Sequence, residues 1–128
     1  MNFSVLAYIA KRMTEIGVPY AFGRWEGPKA SESTCYFVGE YNEIETMDRR
    51  ESGRQETKMI LRGYTRGPWY LLEQHKAAIE KLLPGITILE DGTGLAMDYD
   101  YGMIVPTGDA DLKSMKINLT IQEWRVDQ

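Results

Sequence analysis

The 128-residue sequence holds one histidine, His75, and one cysteine, Cys35. These are the side chains best suited to proton and nucleophile chemistry near neutral pH. One of each excludes an internal disulfide framework and any metal centre built on several cysteines or histidines. Leu72 and Ile79 flank His75 at helical spacing, which aims it at the core side of a helix, and no sequence-local group could pair with it as a base. Cys35 opens an extended segment beside Tyr36, Phe37 and Val38, where packing is the expected role. The stretch Asp98-Tyr99-Asp100-Tyr101-Gly102 superficially resembles a calcium loop. The place of that loop's bidentate glutamate falls on Asp109, however, and the acidic ligands required between are missing. Gly92-Thr93-Gly94 leads from one strand into another, so no helix N-terminus follows to hold a phosphate. Nothing singles out a pair of glycosidase-type carboxylates. The sequence predicts no catalytic residue, no cofactor and no metal ligand, and the protein is read as not an enzyme.

Charge is more informative. Lys and Arg number 15 against 19 Asp and Glu, a net charge of -4, and the two signs are segregated. Lys58, Arg62 and Arg66 share one strand parity and should line one face. From Glu90 to Asp111 every charged residue is acidic: Glu90, Asp91, Asp98, Asp100, Asp109 and Asp111. Between the two strands of a hairpin, residues 46–54 carry Met47, Arg49, Arg50 and Arg54. Arginine and methionine are enriched at protein interfaces. Met47, Arg49, Arg50, Arg54, Lys58, Arg62 and Arg66 therefore form a candidate assembly interface, and Asp98, Asp100, Asp109 and Asp111 a candidate acidic face. One use for such patches is to join subunits; another, for the acidic one, is to line a channel and repel passing DNA. Three basic residues on an acidic chain argue against specific nucleic-acid binding.

The elements that must position these residues follow from periodicity. Val5, Leu6, Ile9, Met13 and Ile16 predict a first helix over residues 3–16, capped by Asn2 or Ser4 and stopped by Gly17 and Pro19. A short aromatic strand is expected at 20–25, a strand at 34–41, and its hairpin partner at 57–65. Gly67-Pro68 opens a second helix with Trp69, Leu72, His75, Ile79, Leu82 and Leu83 on its buried face. Ile86–Leu89 reads as a strand, and Asp91-Gly92 as a turn. Met97, Tyr99, Tyr101, Met103 and Val105 keep a two-residue period. In the last strand Met115, Ile117, Leu119 and Ile121 lie on one side, and the shift to Trp124 and Val126 predicts a bulge. The expected fold class is α+β: one domain spanning residues 1–128, a mostly antiparallel β-sheet with two α-helices packed on one face and a long β-hairpin. Apolar residues make up 43% and charged residues 27%, as in soluble globular proteins. No signal segment, membrane span or lipidation motif is read in the chain.

With this layout the chain resembles the small tail-terminator, or tail-completion, proteins of long-tailed bacteriophages and prophages. The resemblance lies in Tyr36-Phe37-Val38-Gly39-Glu40-Tyr41, Gln55-Glu56-Thr57, Ile60-Leu61-Arg62-Gly63 and Thr65-Arg66-Gly67-Pro68-Trp69. It continues in Val105-Pro106-Thr107-Gly108-Asp109-Ala110-Asp111-Leu112 and Ile117-Asn118-Leu119-Thr120-Ile121-Gln122-Glu123-Trp124. It implies an α+β subunit of an oligomeric ring, typically hexameric, that caps the tail tube and offers the surface to which the head docks. Its implied partners are further copies of itself and the tail-tube and head-closure proteins, with no membrane involved. Its implied location is the bacterial cytoplasm during assembly and then the virion tail. The family has no catalytic residues to carry over, and segment 46–54 resembles its protruding hairpin or loop. A head–tail connector is the rival within the class. A small-molecule-binding α+β module, supported by eight Tyr and three Trp, is the rival outside it.

Overall fold

A computed structural model describes residues 1–44 and 54–126. Helix α1 (Phe3–Glu15) is followed by β1 (Tyr20–Phe22), β2 (Cys35–Ile44) and β3 (Gln55–Thr65). Helix α2 (Tyr70–Leu82), β4 (Gly85–Ile88), β5 (Thr93–Val105) and β6 (Lys113–Arg125) complete the chain. Strand makes up 46% of the described residues and helix 22%, so the sheet is the frame and the helices are its cover.

The six strands lie in the order β1-β2-β3-β6-β5-β4, curled into a half-barrel. The expectation of a mostly antiparallel sheet is corrected: the sheet is mixed, because β1 runs parallel to β2, with Tyr20 opposite Phe37 and Phe22 opposite Gly39. A parallel pair needs a connection of about a dozen residues or more. The loop at 23–34 provides it, where a short hairpin would have forced the antiparallel sense. The β2–β3 hairpin itself is antiparallel from Cys35–Thr65 to Ile44–Glu56.

Asn2 caps α1, its side chain accepting the Val5 N–H at 3.0 Å. Gly17, at φ +78°, ends it in the left-handed region that glycine tolerates. Val5, Ile9 and Met13 of α1, with Leu72 and Ile79 of α2, are buried in one core with Phe37, Met59, Leu61, Leu95, Met97, Met115, Ile117, Leu119 and Ile121. Every strand residue in that set is odd-numbered, so both helices cover the same side of the sheet. Phe37 lies across its β3 partner Gly63, where an added Cβ would come within 2.5 Å of the ring.

Two further expectations are corrected. The last strand carries no register break at 121–124; Glu123 keeps the inward parity and is buried, and its carboxylate accepts the Asn2 N–H at 3.4 Å. The bulge lies in β5 instead. Tyr99 opposes Leu119 and Tyr101 opposes Asn118, leaving Asp100 as the extra residue. The single alternation read from Met97 to Val105 therefore splits: Met97 and Tyr99 face the helices, whereas Tyr101, Met103 and Val105 face away.

Candidate functional site

The side of the sheet without helices is a continuous lattice of paired residues. Its rows run Tyr36–Tyr64–Ser114–Val105, Val38–Arg62–Lys116–Met103, Glu40–Ile60–Asn118–Tyr101 and Asn42–Lys58–Thr120–Asp98. Residues directly opposite in an antiparallel pair share a face, so Lys58 and Arg62 lie on this side, as their spacing predicts. Trp25 stacks on Tyr36 with ring centroids 4.8 Å apart, and Tyr36 leans on Tyr64 at 5.5 Å. An aromatic run thus closes one end.

Register also determines what each charge meets. The Arg62 Nε donates to Glu40 across the hairpin at 3.0 Å. Arg66 forms an ion pair with Asp109 at 3.1 Å. The Lys58 Nζ donates to the Thr120 hydroxyl at 2.7 Å, and that hydroxyl donates to Asp100 Oδ2 at 2.6 Å. The Asp111 N–H, and then the Arg66 guanidinium, hold the Asp109 carboxyl below the usual carboxylate range. Much of the opposed charge is therefore matched within one chain. Arg54 donates to Gln122 at 3.4 Å and lies over the Trp124 ring, 4.9 Å from its centroid. Asp98 and Asp111 are exposed, and neither side chain takes part in an ion pair or hydrogen bond among the described residues. Met47, Arg49 and Arg50 lie outside the described residues.

Cys35 and His75 come together in space. With Pro19, Trp25, Pro28 and Leu71 they line a cleft of about 380 Å³. Burial pushes the Cys35 thiol up and the His75 imidazole down from their ordinary values. Both groups are thereby held neutral. The Cys35 Sγ faces the Leu71 carbonyl at 3.8 Å, and His75 stands edge-on to Phe37 at 6.2 Å. A thiolate–imidazolium pair needs the opposite shifts. No periodicity could have paired these two residues, since each lies on a different element.

Sequence reasoning also missed the exposed apolar residues of the edge strands. Ile86 and Ile88 of β4 are 79% and 61% exposed, and Phe22 of β1 is 43% exposed. Their composition marks them as strand residues, but only the strand order shows that both strands are outermost. Among the described residues no group of His, Cys, Asp and Glu could hold a metal ion, and no helix is long and apolar enough to cross a membrane. No protein-family model matches this chain, and no curated protein does either.

Proposed function

We propose that this chain is a structural subunit of a phage or prophage tail, a terminator that caps the tail tube as an oligomeric ring and offers the head-docking surface. One observation carries the reading: the sheet ends on opposite sides in two unlike short strands, and each exposes apolar side chains, Phe22 on β1 and Ile86 and Ile88 on β4. Head-to-tail contact between two different patches generates a closed ring when the rotation per subunit closes. Because Arg62 and Arg66 already have partners within the chain, the apolar edges are the better subunit contact, with the basic stripe contributing salt-dependent trim. The partners are tail-tube and head-closure proteins, met in the bacterial cytoplasm and retained in the virion tail.

The test is addition of the purified chain to polymerising tail-tube protein, followed by electron microscopy and native mass spectrometry. Substoichiometric chain should shorten the tubes and appear as a multimer at their ends. The pair Ile86→Asp and Ile88→Asp should abolish both effects. Tubes of unchanged length, with a chain monomeric both alone and beside the tube protein, would reject the proposal. The cleft at Cys35 and His75 favours a second reading, a small-molecule module. Saturable protection of Cys35 from a thiol reagent by small aromatic compounds would favour it.

A further inference from the structure

Beyond the bulge, β5 has a neighbour on one side only. β4 pairs with Gly94–Met97, and β6 continues along the other side to Val105. From Asp98 to Val105 no described strand lies on the outer edge. In an antiparallel ladder alternate residues direct both their N–H and C=O to one neighbour. From Tyr101 to Val105, past the bulge, every second residue therefore presents both groups to a side with no described strand. Natural edges are blunted by charge, proline, bulges or extreme shortness, and past the bulge at Asp100 residues 101–105 carry no charge, no proline and no further bulge. The side chains beside these groups are apolar and open: Tyr101 is 51% exposed, Met103 48% and Ile104 61%. The two faces are both represented, since Tyr101 and Met103 oppose Asn118 and Lys116 while Ile104 opposes Met115. Asp98, at the start of the edge, has no partner of opposite charge among the described residues.

We propose that residues 98–105 are a docking edge for an extended basic segment of another protein, taken up by strand addition. The segment's backbone completes the ladder, its apolar side chains cover Tyr101 and Met103 on one face and Ile104 on the other, and a Lys or Arg meets Asp98. A second copy of this chain is a poor occupant. The open stretch of β2 beyond β1, residues 40–44, carries Glu40 and Glu43 as its only charges, and pairing 98–105 with itself would bring together two acidic strands. The inference rests on this edge alone and stands whether or not the chain closes a ring.

The probe is a capped peptide of alternating Lys and Val, titrated into the isotopically labelled full chain. Two controls accompany it: the same peptide with Glu for Lys, and one of equal positive charge with Pro at alternate positions, which cannot donate to a ladder. Saturable amide shifts centred on 98–105 are expected, with weak or no binding of either control. Asp98→Lys should weaken binding about tenfold. No binding of the Lys peptide, equal binding of the Pro peptide, or shifts centred elsewhere would overturn the proposal. The shift map on the unaltered chain decides the matter even if the variant is unstable.

Discussion

The two halves of β5 share one strand, one partner in β6 and one apolar alternation, yet they behave as different materials. Thr93–Met97 lies between β4 and β6 beneath the helices, with Leu95 and Met97 buried. Tyr101–Val105, past the extra residue Asp100, is held by β6 alone and exposes Tyr101, Met103 and Ile104. Alternation thus says that a segment is a strand. What covers it is decided by neighbours distant in sequence.

The difference can be broken at its strongest point first. Leu95→Ala, in the covered half, should cost about 3 kcal/mol from lost burial and the cavity left behind, read as a lowered urea midpoint at unchanged m-value. A cost below about 1 kcal/mol would mean that the two halves differ less than their burial says. Next is the junction. Thr120→Val deletes the hydroxyl that joins Lys58 to Asp100 and should cost about 1 kcal/mol, with the shift changes confined to residues around the bulge.

A smaller effect comes from helix α2. His75 on α2 is held below its ordinary value by burial, so its neutral form belongs to the fold. The unfolded chain takes up the proton first as pH falls. This contribution is complete above about pH 6.5 and is lost as pH drops through that value towards the lower folded one. Urea unfolding between pH 7.5 and 5.5 should show the decline, and His75→Gln should flatten it. That window lies above the range in which Asp109, held low by the Asp111 N–H and Arg66, titrates. Last, Met103→Ser and Ile104→Ser in the open half should each change stability by no more than about 0.5 kcal/mol. A larger loss would show that this half is covered in solution.

Much of the architecture is legible in the residues. The stripe Val5, Ile9, Met13 and the Asn2 cap mark α1, and alternation around Lys58 and Arg62 marks β3 and the hairpin. The same alternation places the basic residues on the helix-free face. The parallel course of β1 is not legible, because three strand residues carry no sign of direction and the pairing is set by the docking of a loop. The bulge is hidden for a different reason: Met97 to Val105 keeps its apolar period straight through the point where the backbone does not. The mutual neutralisation of Arg66 and Asp109, and of Lys58 with Asp100 through Thr120, depends on register, which composition leaves undetermined. The cleft joining Cys35 to His75 depends on how α2 lies against β2, again a matter of packing.

Asp100 also has the character of a frameshift. A strand is a message read two residues at a time, one set for each side of the sheet, and a single inserted residue exchanges the readers. Before Asp100 the odd-numbered residues of β5 address the core; after it they address the solvent. Removing Asp100 would give one regular alternation from Thr93 to Val105 and leave Tyr101 and Met103 facing away, because each keeps its β6 partner. The bulge therefore absorbs one residue of length, so that Tyr101, Met103 and Val105 face away although their apolar period continues that of Met97 and Tyr99.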